Sequence, residues 1–113
     1  MHTQLRAISD PTRREILRQL SAGERSVGEI ASRFRVSGPA ISHHLGVLRD
    51  AGLVKMRKQA QSRLYTLDVA AVEELRARFD RFWDDALPRL KSAAESEADL
   101  SRRSVLEETE NHE

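Results

Sequence analysis

The stretch Ser26–Val54, SVGEIASRFRVSGPAISHHLGVLRDAGLV, constrains the fold of this chain more than any other part of it. Ser26 and Glu29 form the pattern S-x-x-E, a capping box in which each side chain satisfies a backbone N–H at the start of a helix. Val27, Ile30, Ala31 and Phe34 follow at i, i+3, i+4, i+7 spacing, which predicts a helix with one buried face. Only Arg35 and Val36 separate that helix from Ser37, a second N-cap. Val36 and Ile41 are placed to form a hydrophobic staple across this cap. Two short helices joined by a turn of about three residues make a helix-turn-helix.

The flanking segments extend this core. In SDPTRREILRQL, Asp10 is an N-cap and Pro11 occupies the first helical position. Ile16, Leu17 and Leu20 give that helix an apolar stripe, with Leu5 and Ile8 in a short segment before it, and Gly23 ends it. After DAGL the pattern changes to VKMRK and RLYTL, each alternating and joined by the polar QAQS, which predicts a two-stranded hairpin. From Val69 a helical period returns with Val72, Leu75, Phe79, Phe82, Trp83, Ala86, Leu87 and Leu90. That stripe is too long for one small core. Part of it is expected to cover the helix-turn-helix, and Val72, Leu75, Phe79, Phe82, Trp83, Leu87 and Leu90, with Leu5, are expected at or near a dimer interface. Pro88 removes one helical hydrogen bond, so a bend is expected there. The fold class read from this order is mostly α with a small β-hairpin wing: a winged helix-turn-helix dimerising through a long C-terminal helix. The expected organisation is one domain over 1–95 and a polar acidic tail over 96–113, mobile or partly helical.

Composition narrows the function. A chain of 113 residues buries one modest core. It has no cysteine, which excludes disulfides, thiolate metal sites and thiol redox sensing. The N-terminus lacks the apolar core of a signal peptide and no run is long enough to span a membrane, so a cytoplasmic location is the simplest reading. Charge is unevenly divided: residues 1–67 carry 12 Lys/Arg against 5 Asp/Glu, a net +7, and residues 68–113 carry 7 against 13, a net −6. A basic front suits a polyanionic partner, although a solvated surface has the same composition.

Ser42-His43-His44 invites a catalytic or metal reading, which helix geometry opposes. At about 100° per residue, with Ile41, Leu45 and Leu48 defining the buried direction, His43 points about 160° away from the core and His44 only about 60°. The two imidazoles diverge and cannot share one ion. Adjacent helical residues do not face each other, so Ser42 and His43 form no nucleophile–base pair. His43, with Ser42, Pro39 and Gly46, lies on the outward side of the second helix, as in recognition helices that enter the DNA major groove. His44 reads as a boundary residue that packs on the core or reaches a phosphate. Arg33, Arg35 and Arg49 surround this helix and are candidates for phosphate contact. There is no Gly-rich phosphate loop and no ligand spacing for a catalytic metal, so the chain does not read as an enzyme.

The strings ISDPTRREILRQL, SVGEIASRFRVSGPAISHHLGVLRDAGLVKMRK and RLYTL resemble the ArsR/SmtB family of bacterial winged-helix repressors over about residues 4–95. The resemblance implies a homodimer that binds double-stranded operator DNA and blocks transcription. By position, Ser42 and His43 fall on the family's base-facing residues, and Ser37, Gly38, Pro39 and Ala40 on the start of the recognition helix. Gly38 and Pro39 replace polar side chains common there. The wing contacts fall on Arg57, Lys58, Gln61 and Arg63, at a tip lacking the usual glycine. The family's thiolate sensors carry cysteines where this chain has SVGEIASRF, and its zinc sensors use Asp and His pairs on the last helix. Here that helix offers Asp80, Asp84 and Asp85, with no histidine before His112; a hard-ion site of these carboxylates with His112 is the one metal option, and solvated helix-face carboxylates are the favoured reading. The C-terminal pattern RFDRFWDDALPRLKSAAE is similar to a non-metal, autorepressor-like subgroup. No metal or cofactor is therefore expected, and the sequence names no inducer.

Three readings remain. The favoured one is a DNA-binding repressor. A sensor of the same fold, switched by a metal or small molecule, is the second. The third is a winged-helix protein-interaction module without DNA binding, which would need an apolar patch on the face that carries Ser42 and His43.

Overall fold

A computed structural model of the chain describes residues 2–111, with side chains over residues 2–106. The elements in order are α1 (His2–Ile8), α2 (Pro11–Leu20), β1 (Arg25–Ser26), α3 (Val27–Ala31), α4 (Gly38–Asp50), β2 (Val54–Gln59), β3 (Ser62–Leu67) and α5 (Val69–Asn111). The chain divides into two compact units, residues 1–76 and 77–113. The first is a winged helix-turn-helix.

Local side chain–backbone bonds start α2, α3, α4 and α5, the first three where the sequence predicts them. Asp10 Oδ1 accepts from the Arg13 N–H at 3.0 Å, with Pro11 in the first turn. The Ser26–Glu29 capping box is closed in both directions, at 3.1 and 3.2 Å. Ser37 Oγ accepts from the Ala40 N–H at 3.3 Å. Asp68 caps α5 by accepting from the Ala71 N–H at 3.1 Å.

Helix α4 ends in a Schellman motif. The Gly52 N–H donates to Arg49 O and the Leu53 N–H to Leu48 O, with Gly52 at φ 76°. This left-handed residue turns the chain so that Leu53 enters the core and β2 begins.

Two local features depart from the sequence reading. Helix α3 stops at Ala31, although its apolar period continues to Phe34. Ser32 Oγ donates back to Glu29 O at 2.7 Å, and the next two N–H groups, on Arg33 and Phe34, make tight i→i−3 bonds. This hydroxyl competes for helix carbonyls and tightens the last turn, so residues 32–37 form a turn longer than expected, while Phe34 still packs on the core. The hairpin also gains a third strand. Arg25 pairs with Tyr65 and Ser26 with Leu64, giving the antiparallel order β1-β3-β2. The extended backbone that Ser26 adopts as an N-cap (φ −78°, ψ 162°) is already strand-like, which is why two residues suffice to pair.

The core of the first unit joins every element except β1. Ile16 and Leu20 of α2, Ile30 of α3, and Ile41, Leu45 and Leu48 of α4 meet Leu53, Val54 and Tyr65 of the sheet region, with Ala7 from α1. Leu75, in the first turns of α5, is 7% exposed and belongs to this core. Val72 and Leu5 are half-buried against it.

The second unit is the rest of α5. The helix runs without interruption through Pro88 and through the segment beyond residue 95 that reads as a tail. Phe79, Phe82, Trp83, Leu87 and Leu90 are all exposed, as are Leu100, Val105 and Leu106. Trp83 is the centre of an aromatic group, with edge-on ring contacts to Phe79 at 5.7 Å and Phe82 at 5.1 Å.

Candidate nucleic-acid interface

Burial of Ile41, Leu45 and Leu48 fixes the orientation of α4 and leaves Ser37, Gly38, Pro39, Ser42 and His43 exposed. Ala40 is half-buried. A Cβ built on Gly38 or Gly46 would meet no atom within 4 Å, so internal packing requires glycine at neither position. Arg33 and Arg35, in the turn before α4, and Arg49, in its last turn, are exposed.

The histidines diverge as helix geometry requires, their rings 6.0 Å apart and tilted by 59°. His44 is half-buried, and its Nδ1 lies 3.2 Å from Arg13 Nη1. A guanidinium only donates, so Nδ1 accepts and the ring proton sits on Nε2. Arg13 also donates from Nε to Ala7 O at 2.6 Å and from Nη2 to Arg6 O at 3.1 Å. One guanidinium thus ties the end of α1 to α4. Sequence reasoning did not single out Arg13; its only local signal is its place in the first turn after the Asp10 cap.

The wing separates its cations by face. Residues alternate sides along a strand, so Val54, Met56 and Lys58 share one face with their partners Leu67, Tyr65 and Arg63. Val54 and Tyr65 are buried in the core, with Met56 and Leu67 packed on it. Lys58 and Arg63 carry that same face out into solvent, directly opposite each other.

Arg57 lies on the other face. Its Nε and Nη2 bind both carboxylate oxygens of Glu24, at 2.8 and 2.6 Å. This fork holds the Glu24 carboxyl below its ordinary range and engages two of the three nitrogens of the Arg57 guanidinium that was expected to face a phosphate. Gln61 is exposed at the tip, beside Ala60, whose φ is 55°.

Among the described residues no three His, Asp or Glu side chains gather as ligands for one ion. His112, considered with Asp80, Asp84 and Asp85, lies outside the described residues. Among these residues, no helix is long and apolar enough to cross a membrane.

Comparison with known proteins agrees with this geometry. Residues 10–56 match the family model described as "Bacterial regulatory protein, arsR family". The chain is 43% identical over 93 residues to the HTH-type transcriptional regulator Rv2034 of Mycobacterium tuberculosis, covering 82% of this chain and 87% of that one. It is 39% identical to the transcriptional repressor SdpR of Bacillus subtilis, over 66% of this chain and 82% of that protein. A solved structure described as a possible transcriptional regulator for arsenical resistance superposes with a TM-score of 0.70 at 46% identity, covering 79% of this chain and 93% of the other. Its relatives are transcriptional regulators rather than enzymes, and the chain belongs to the ArsR family of winged-helix, DNA-binding regulators.

Proposed function

We propose that the chain is a homodimeric repressor that binds operator DNA in a sequence-specific manner. Ser42 and His43 read base edges in the major groove while Lys58 and Arg63 grip the flanking phosphates. The observation that carries this reading is the exposure of the polar α4 face together with two wing cations on the core-side face of the sheet. A recognition helix and a basic hairpin of this kind supply the two classes of contact that DNA recognition needs, base readout and backbone positioning. Arg33, Arg35 and Arg49 add phosphate contacts around α4, with Gln61 at the wing tip. Arg57 supports the wing through Glu24 instead of contacting DNA.

The dimer forms through α5. Phe79, Phe82, Trp83, Leu87 and Leu90 are large apolar side chains left in solvent along one helix, a pattern that marks interaction surfaces, and a two-fold interface covers them. The proposed interface also takes in Val72, Leu75 and Leu5, which lie in or against the core of the first unit. A DNA partner places the working protein in the cytoplasm.

The test is to select bound fragments from genomic DNA, footprint the site, and follow a reporter fused to it. Repression requires reporter output to rise when the gene is deleted; a fall would make the protein an activator. Sedimentation that gives a monomer at micromolar concentration would remove the dimer. Operator affinity that changes on adding a chelator or metal ions would favour the metal-responsive reading.

A further inference from the structure

A cleft of about 450 Å³ opens between α1 and α4 and shares His43 with the face assigned to DNA. Thr3, Arg6 and Ala7 share one face of α1; His43, Val47 and Asp50 share one face of α4. The helices run in opposite directions. Gln4 Nε2 reaches Ala51 O at 3.5 Å, and Arg13 joins the other end of α1 to His44. One end of the cleft therefore gathers the Arg6 and Arg13 guanidinium groups and the His43 imidazole, beside a Ser9 hydroxyl that donates to Arg6 O at 2.6 Å. The other end holds Asp50 with the Thr3 hydroxyl. Ala7, fully buried, and Val47, half-buried, form an apolar floor between them.

Two of these charges have no structural use. Among the described residues, the Arg6 and Asp50 side chains make no hydrogen bond or ion pair. Asp50 is moreover the last residue of α4, where the helix dipole disfavours a carboxylate. Asp50 lies seven positions beyond His43 in α4, about 10 Å along the axis. The volume lies within the range of small-molecule sites.

From this layout we infer that the α1–α4 cleft binds a small zwitterion, an amino-carboxylate whose two charges are separated by a short apolar chain. Its carboxylate sits by Arg6, Arg13 and His43, its ammonium by Asp50 and Thr3, and its methylenes on Ala7 and Val47. Because His43 lines the cleft and also belongs to the DNA-reading face, an occupied cleft withdraws this imidazole from the bases and acts as an inducer site. That coupling rests on the DNA-binding reading; the binding site does not.

The experiment uses 6-aminohexanoate as probe and the full chain observed by amide NMR. Saturable shifts are expected at Arg6, Ala7, Val47 and Asp50. Hexanoate and hexylamine, each carrying one charge, should bind at least about tenfold more weakly. Arg6→Gln and Asp50→Asn should each weaken the probe by about tenfold while keeping the spectrum of a folded protein. No saturable shift, equal binding of hexanoate, or unchanged binding in Arg6→Gln overturns the site. With saturating probe, affinity for the selected DNA should fall about tenfold; unaltered affinity overturns the coupling. If the chain binds no DNA even without probe, the repressor reading fails, and the NMR result still decides the site.

Discussion

Lys58 and Arg63 stand directly opposite each other in the β2–β3 ladder, both exposed, so two like charges face across adjacent strands. Such a pair opposes hairpin formation, and among the described residues no carboxylate pairs with either cation to offset it. A polyanion does. Replacing either cation with alanine is expected to leave stability unchanged or raise it by up to about 1 kcal/mol. Affinity for operator and for random DNA should fall together, and the salt slope should flatten by about 1 per contact removed in each half-site. Thermal melts and anisotropy titrations at several salt concentrations check both halves. A Lys58→Ala variant that melts lower and binds DNA normally would show the pair to be structural.

Arg57 separates from those two cations because it faces Glu24, and that arrangement leads to an acid-stability prediction. Glu24 is held below its ordinary value of 4.5 by the Arg57 guanidinium, Glu29 below the same value by the Ser26 N–H, and Asp10 below 3.8 by the Arg13 N–H. A carboxyl whose folded value is depressed binds protons more readily in the unfolded chain. Its stabilisation is fully present above the unfolded value and is lost as pH falls through the folded one. Melting temperature is therefore expected to be insensitive to these three groups between about pH 7 and pH 5, and to decline below about pH 4.5. A Glu24→Gln, Glu29→Gln double variant should start lower at neutral pH and show a shallower acid decline. An acid limb identical to the parent's would exclude these two carboxylates as its source.

The same contrast between local and distant partners explains what the sequence could disclose. Every N-cap read from it is present, because Asp10, Ser26 and Ser37 each bond a backbone N–H three residues ahead and no tertiary contact intervenes. The outward turn of His43 and the boundary position of His44 follow from the burial of Ile41, Leu45 and Leu48, which periodicity alone discloses. Arg57–Glu24 and Arg13–His44 join residues 33 and 31 apart, and no spacing rule reaches across that distance. Strand β1 is too short to show alternation, and the early end of α3 depends on one hydroxyl, Ser32, inside a persisting apolar pattern. The cleft was invisible for the first of these reasons: Arg6 and Asp50 look like ordinary surface charges until α1 and α4 are laid side by side.

Ala60 opens the two-residue turn between β2 and β3 at φ 55°, where a Cβ is disfavoured. Hairpin turns with a positive φ at this place prefer glycine, and the left-handed region costs a non-glycine residue about 1–2 kcal/mol. Ala60→Gly is expected to raise stability by about 0.5–1 kcal/mol, the added freedom of glycine in the unfolded chain offsetting part of the relief. Denaturant midpoints measure it, and the m-value should not change. A destabilised variant would mean that the Ala60 methyl makes a contact worth more than the backbone strain.

The adjacent histidines give the sharpest test of the interface, because the fold assigns them opposite tasks. His43 is exposed and, among the described residues, engages no other side chain through a hydrogen bond, whereas His44 Nδ1 accepts from the guanidinium that ties α1 to α4. His43→Ala should therefore melt like the parent yet lose about 1–3 kcal/mol of discrimination between the operator and a mismatched site. His44→Ala leaves Arg13 Nη1 without its acceptor and opens space at the core edge, so it should cost about 1 kcal/mol of stability. Its DNA affinity should recover once the protein is fully folded at low temperature. His44→Asn retains an acceptor near the position of Nδ1 and is expected to restore part of that loss. Melting and operator titrations of the three variants, run side by side, decide the assignment. If His43→Ala unfolds the protein while His44→Ala alone loses the operator, α4 presents a different face to DNA and the base-reading role passes to His44.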